Sequence, residues 1–415
     1  MARTVFAGGQ VYDGTTAAAA PGEVAVEDGR VVEVGTDLDG DERVDCAGGY
    51  VAPGFFDCHV HVTLDAPSLM RILETPFSLQ FYSAAANLAT TLRTGITTVR
   101  DAGGADLGIR TALERGMIPG PRLQVAITML SQTGGHGDDW HVCGGDAPFM
   151  VTHPGRPSGL VDGPHAVRQR VRELVRAGAD VIKVATTGGV LSPNDDPRHA
   201  HFRDDEIQEM VAEAHAAGIE VMAHAQGTEG IQAAVRNGVR SIEHGIYLDD
   251  ETVDLMVQHG TWLVPTLHAP RAVIAAADAG VPIPRAAVEK AHQVAEAHVA
   301  SVRLAHEAGV RIAMGTDCGV GPHGTNLEEL GLMTEAGLSP RDALEATTGS
   351  AADLLGVGSD RGRIRPGQRA DLVVVDGDPD DVRGLRERVR RVYLDGRLAH
   401  RADDATAATA ADPTP

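Results

Sequence analysis

The sequence predicts a (β/α)8 TIM barrel carrying a small β-sandwich domain assembled from the two ends of the chain. Three observations lead there. The middle of the chain repeats one unit, an Ala- and Arg-rich helix that ends in Gly and runs almost at once into an apolar strand. Eight such strands can be counted. Both ends instead hold short strands separated by turn residues.

Taken in order, the N-terminal region offers strands at Thr4–Ala7, Glu23–Val26 and Arg30–Val34, with Asp28-Gly29 as a hairpin turn between the last two. The helix–Gly–strand unit then recurs with Gly95, Gly178, Gly218, Gly238, Gly260 and Gly309. Each glycine suits the left-handed position just past a helix end, where a Cβ is penalised. Strands follow near 55–60, 96–101, 122–128, 181–185, 219–225, 239–244, 261–267 and 310–316. Alternation of helix and strand at this spacing implies parallel strands with helices outside, and eight units close into a barrel. A doubly wound open sheet is the alternative, but no Gly-rich dinucleotide loop follows the first strand. Asp371–Asp376 and Val389–Leu394 read as strands, with Asp395-Gly396 as a turn. The composite sandwich is thus expected at 1–51 and 356–402, the barrel at 52–355, and a frayed tail at 403–415.

Composition narrows the class. Hydrophobic residues make up 43% and aromatics only 3%, so the core must be built from Ala, Val, Leu and Ile. A net charge of −22 argues against nucleic acid or an anionic membrane as partner. No apolar run approaches the roughly 18 residues of a membrane-spanning helix. The N-terminus lacks the apolar segment of a signal peptide, so the cytoplasm is the expected location. A homo-oligomer is compatible with this composition. Cys46, Cys58, Cys143 and Cys318 show neither CxxC spacing nor a disulfide pattern.

In a barrel of this kind, function sits at the C-terminal ends of the strands. Strand 1 ends in Asp57-Cys58-His59-Val60-His61, whose histidines at i and i+2 share one face. Strand 5 ends in His224 and Gln226, strand 6 in Glu243-His244, and strand 8 in Asp317. Imidazoles and carboxylates together suit Zn²⁺, with Mn²⁺, Co²⁺ or Fe²⁺ as alternatives. Strand 4 adds Lys183, one of only two lysines in the chain, in the middle of Val181-Ile182-Lys183-Val184-Ala185. A buried ammonium is costly unless paired, neutralised or chemically used. Either its stem packs while its head reaches a carboxylate, or the amine is carboxylated by CO2. Such a carbamate has two oxygens and can bridge two metal ions. His215, His259, His292, His298 and His306 fall in helices, whereas His199, His201 and His323 fall in loops on the side of the site.

Ala52-Pro53-Gly54-Phe55-Phe56-Asp57-Cys58-His59-Val60-His61 resembles the strand-1 signature of the amidohydrolase superfamily. The run from Arg363 to Val374 resembles its return to the β-sandwich domain. Gly134-Gly135-His136, the run from Lys183 to Val190, and Ser241-Ile242-Glu243-His244-Gly245 bring it nearest the imidazolonepropionase-like group that includes prolidase and Xaa-Arg dipeptidases. The resemblance covers nearly the whole chain. It implies two divalent metals, with His59, His61 and Asp317 on one, His224 and His244 on the other, and carboxylated Lys183 between them. True imidazolonepropionases use one metal and lack the bridging lysine, so the name of the group is not the activity. One departure stands out: Gln226 occupies a position where this group usually has His or Tyr.

The implied activity is metal-dependent hydrolysis of an amide bond in a dipeptide or N-acyl amino acid. Asp317 is the expected proton shuttle, and Lys183 and His244 complete the reacting centre. His136, Gln226, Tyr247 and His323 are candidates for substrate contact. A lactonase or phosphotriesterase would use the same metals with another pocket. A non-catalytic binding scaffold is the third reading, although all six ligand positions hold coordinating residues.

Overall fold

The two ends of the chain meet in one sheet. The computed structural model describes residues 2–66, 68–141, 143–192 and 195–402; the tail expected at 403–415 lies outside them. From the N-terminus come strands β1 (Thr4–Val11), β2 (Ala20–Glu27), β3 (Arg30–Gly35), β4 (Glu42–Asp45) and β5 (Gly49–Pro53). The central strands are β6 (Phe55–Val60), β7 (Ile96–Asp101), β8 (Arg122–Val125), β9 (Met129–Leu130), β10 (Val181–Ala185), β11 (Glu220–Ala225), β12 (Ser241–His244) and β13 (Trp262–Val264). The C-terminal end adds β14 (Leu372–Asp376), β15 (Val389–Leu394) and β16 (Arg397–Arg401).

The terminal sheet runs β16-β15-β14-β5-β1-β2-β3, with β4 beside β1. Its seam is the antiparallel pair of β5 and β14, from Pro53↔Leu372 to Gly49↔Asp376. Phe6 and Tyr393, one from each end, meet edge to face at 4.9 Å. Both hairpin turns expected from the sequence form, and both residues of each, Asp28-Gly29 and Asp395-Gly396, have positive φ.

The central strands are parallel throughout and TIM-barrel-like. They form β6-β7-β8 and β13-β12-β11-β10-β9. The expected strand at 122–128 is split into β8 and a short extension, β9, because Ile127 turns left-handed at φ +70°. The strand expected at 310–316 is reduced to isolated bridges, Leu263↔Ile312 and Val60↔Cys318. Its groups are still satisfied: Met314 O accepts from Cys58 N at 2.9 Å, and Asp317 N donates to His59 O at 2.7 Å. The buried Asp57 carboxylate intrudes there, accepting from Thr316 N at 3.1 Å and from Thr316 Oγ1 at 2.6 Å, while Thr316 N also reaches His59 O at 3.3 Å.

All six predicted glycines have positive φ. Gly178 and Gly260 show why this matters, since each closes a helix, Pro164–Ala177 and Asp250–His259, and frees the next residues to enter a strand. β10 is buried on both faces. Ile182 and Val184 pack in the main core with Val167, Val171 and Leu174 of the preceding helix. Each such side chain contributes about 1.5–3 kcal/mol by leaving water. Strand alternation then turns Lys183 the other way, into the interior. No helix among the described residues is long and apolar enough to cross a membrane.

Candidate metal centre

Residues from five separate stretches converge at the C-terminal ends of the strands. The His59 ring stands 5.5 Å from that of His61 and 5.1 Å from that of His244, and His224 is 4.7 Å from His244. Asp317 Oδ1 lies 3.5 Å from His59 Nε2 and 3.3 Å from His61 Nε2. Potential ligand atoms of His59, His244 and Asp317 all fall within 4.8 Å of one another.

Each histidine is held by its other nitrogen. His59 Nδ1 is 2.8 Å from Glu243 Oε2, and His61 Nδ1 is 2.7 Å from Gly103 O. Neither a carboxylate nor a carbonyl can donate, so the ring proton sits on Nδ1 and the Nε2 lone pair faces inward. His224 is tethered the opposite way round, by Nε2 to Gly188 O at 3.0 Å. His244 Nδ1 lies 2.6 Å from Thr266 Oγ1.

Burial drives His59, His224 and His244 far below the ordinary imidazole range, and nearby Lys183 adds to the effect. Neutral rings are what a metal requires. Burial alone would raise the Asp317 carboxyl, but the balance of its surroundings, nearby Lys183 included, lowers it. Lys183 is pushed down to about 8, chiefly by burial. Its Nζ is buried and has no hydrogen-bond partner among the described residues, and the same is true of Asp317 Oδ1. No carboxylate among the described residues accepts a hydrogen bond from the lysine head. An orphaned amine, an orphaned carboxylate oxygen and four tethered imidazoles fit a divalent metal centre.

Several supporting residues escaped the sequence reading. Glu243 is fully buried and accepts from Arg100 Nη2 at 2.9 Å and from Ser241 Oγ at 2.5 Å, besides meeting His59. Its signal was in view, since Ser241 and Glu243 sit at i and i+2 on one strand face. His244, the next residue, faces the same interior only because its φ is +75°. Asp317 is likewise left-handed at φ +62°. Strain of this kind collects at functional sites and is sustained by the surrounding contacts. His298, correctly placed in a helix, is buried there and donates from Nε2 to His244 O and Pro265 O, at 3.0 and 2.7 Å.

The ligands open into a cavity of about 210 Å³. Its walls are largely apolar, with Met129, Phe149, Leu191, Ile246 and Val320 among them. His136 and Gln226 line it as expected. His136 stacks on His224 at 4.1 Å and 17°, and the buried Gln226 Oε1 has no partner among the described residues. Tyr247 and His323 are not brought to the cavity. Tyr247 packs beside Val190, Ile246 and Val273, with the Arg198 guanidinium 4.9 Å over its ring. His323 turns back to the main chain, with Nε2 3.3 Å from His61 O and 3.2 Å from Leu64 O. His199 is exposed and His201 buried, and neither lines the cavity. Cys58 and Cys318 are buried, with Cys58 packed beside Phe56, Trp262 and Val264.

Comparison with known proteins agrees with this geometry. The profile of the amidohydrolase family matches residues 50–405. An ochratoxinase of Aspergillus niger is 33% identical over 365 residues, spanning 83% of this chain and 75% of its own. A solved prolidase complexed with N-methylphosphonate-L-proline is 36% identical with a TM-score of 0.88, covering 96% of this chain and 100% of its own. A solved Xaa-Pro dipeptidase with methionine bound in its active site is 32% identical with a TM-score of 0.87, over the same shares of the two chains.

Proposed function

The chain belongs to the amidohydrolase family and is a hydrolase, and from that premise we propose that it cleaves the amide bond of a dipeptide or N-acyl amino acid in the manner of a prolidase. The observation that carries this reading is the buried, unpartnered Lys183 amine among four histidines and Asp317. His59, His61 and Asp317 would hold one divalent ion and His224 and His244 a second, with zinc the best match to the donors. Lys183, lowered to about 8, offers neutral amine near neutral pH. Its nitrogen could bond to the carbon of CO2 and release one proton, and the anionic carbamate so formed would join the residues that hold the ions. When bound, the metals would acidify the attacking water and polarise the scissile carbonyl.

The chain's own groups do the rest. Asp317 takes the proton of the attacking water on its carboxylate and delivers it to the leaving nitrogen, which would otherwise depart as an unstable amide anion. His136 and Gln226 orient the carbonyl or carboxylate of the substrate. The apolar cavity walls receive its side chains and exclude water. The architecture that supports this site is read as a closed eight-unit barrel over 52–355, braced by a composite β-sandwich domain from 1–51 and 356–402.

The deciding experiment is a screen of metal-loaded protein against Xaa-Pro and other dipeptides and N-acyl amino acids, with lactones, esters and phosphotriesters alongside. Amide cleavage exceeding all three other classes supports the proposal. A clear preference for a lactone or phosphotriester would replace it with that activity, and no turnover with full metal would favour a binding scaffold.

A further inference from the structure

The chain has two lysines, and the second is also engaged at the site. Lys290 lies on the long helix Arg285–Glu307. Its Nζ donates to three carbonyls of one loop, Gly189 O at 3.0 Å, Ser192 O at 2.8 Å and Asp195 O at 2.6 Å. Asp195 closes the same loop from within, accepting from Gly189 N at 3.2 Å and from the Ser192 hydroxyl. Burial would raise this carboxyl, but His136, Ser192 and Lys290 outweigh it and hold it down to about 2.

The loop is a wall of the cavity through Val190, Leu191 and Ser192, and it also grips His136. His136 Nδ1 lies 2.8 Å from Ser192 Oγ. A carboxylate can only accept, so the Ser192 hydroxyl donates to Asp195 and accepts from His136 Nδ1–H. The ring stacks on His224, and the Gly189 backbone comes so close that an added Cβ would lie 2.2 Å from His136 Cε1. The place of His136 is thus tied to the loop.

We propose that Lys290 is a positioning residue for substrate selection, clamping the Gly189–Ser192–Asp195 loop so that His136 stands where it meets the substrate. Lys290 contacts none of the candidate ligands and acts only through that loop. The helix that carries it is suited to the task. Lys290, Val294, His298 and Ser301 recur at i, i+4, i+8 and i+11 and form one stripe along it. His298 holds the His244 and Pro265 carbonyls, and Ser301 Oγ donates to Ile246 O at 2.6 Å while accepting from Leu248 N at 2.9 Å. One helix thus ties three loops at the mouth of the site, and Lys290 is its tie to the loop that sets His136.

The proposal rests on the amide-hydrolase reading only for its kinetic arm. Lys290→Met retains most of the stem and removes the three donors. In intact metal-loaded protein, hydrogen exchange followed by mass spectrometry should show faster exchange for the peptide covering 188–196, with peptides covering the central strands unchanged. With the best substrate of the screen, KM should rise about three- to tenfold, the scale of one lost hydrogen bond, while kcat stays within about twofold. In a His136→Ala background, Lys290→Met should add nothing further to KM, because its route to the substrate is already cut. Unchanged exchange in 188–196 would overturn the clamp whether or not a substrate has been found. Additive effects of the two substitutions, or a fall in kcat at constant KM, would overturn the route through His136.

Discussion

Glu243 Oε2 and His59 Nδ1 stand 2.8 Å apart, so a carboxylate on β12 fixes the tautomer of a histidine on β6. The same carboxylate accepts from Arg100 and Ser241. A glutamine in its place has one oxygen for three donors, and its amide N–H2 must face another donor. Glu243→Gln should therefore weaken metal binding by about 10–100-fold, as loss of a partner behind a ligand does. Competition against a coloured chelator measures this, and an unaltered affinity would refute the role.

Lys183→Met should keep the strands and lose the bridge. Elemental analysis should find two ions per chain in the parent and fewer in the variant, with most turnover gone. Short carboxylic acids added to Lys183→Ala should restore part of the activity by standing in for the carbamate. Two tightly held ions and normal turnover in Lys183→Met would remove the carbamate from the account.

Asp317→Asn retains an oxygen that can act as a ligand but cannot carry a proton. At matched metal occupancy kcat should drop by about 10²–10⁴, with a much smaller change in KM. A loss in kcat of less than about tenfold would mean that another group moves the proton.

Gln226 lines the cavity, and its buried Oε1 has no hydrogen-bond partner among the described residues. Gln226→Ala should lower kcat/KM several-fold and reorder the preferred substrates without changing metal content, on the scale of about 0.5–1.5 kcal/mol for one hydrogen bond. Gln226→His and Gln226→Tyr should shift preference toward the substrates of dipeptidases that have those residues. If all three variants keep the parent's ranking, selection lies with His136 and its loop.

Glu329 gives a pH test. It is fully buried and accepts from Leu267 N and His268 N, each at 2.8 Å. Burial lifts its carboxyl from 4.5 to about 8, against the pull of those two donors. Because the folded value is raised, its contribution is complete below pH 4.5 and is lost as pH climbs toward 8. Glu329→Gln cannot titrate, and its amide N–H2 must face one of those two N–H donors, so the variant should be less stable than the parent at pH 5. That deficit should shrink by at least about 1 kcal/mol by pH 8, because only the parent must ionise a buried carboxyl. Urea titrations at both pH values decide it, and parallel pH profiles for the two proteins would contradict it.

The ligands were legible because a strand end exposes its chemistry at fixed spacing. His59 and His61 share a face by simple alternation, and Lys183 is conspicuous in an apolar run. Alternation also explains what was missed. It forbids Glu243 and His244 from facing the same interior, and only a left-handed residue at His244, invisible in the sequence, permits it. Tyr247 and His323 follow His244 and Asp317 closely in the sequence, beyond the same strand ends. That fixes their height but not their direction, and His323 spends its ring nitrogen on the carbonyls of His61 and Leu64. The apolar pattern predicts the eighth strand, but it cannot show that the Thr316 N–H is shared between the Asp57 carboxylate and His59 O.

The seam between β5 and β14 has a consequence for how the molecule comes into being. Pro53 and its partner Leu372 lie more than 300 residues apart in the chain. Translation at about 5–20 residues per second separates them by tens of seconds. Throughout that interval β5 carries an unpaired edge, the kind of surface that invites pairing with another chain. The parallel central strands can begin to order while synthesis continues, but the seam of β5 with β14 can only be completed after them. Cells making this protein faster than β14 can arrive should accumulate misassembled chains whose central strands are sound and whose β5 edges are shared.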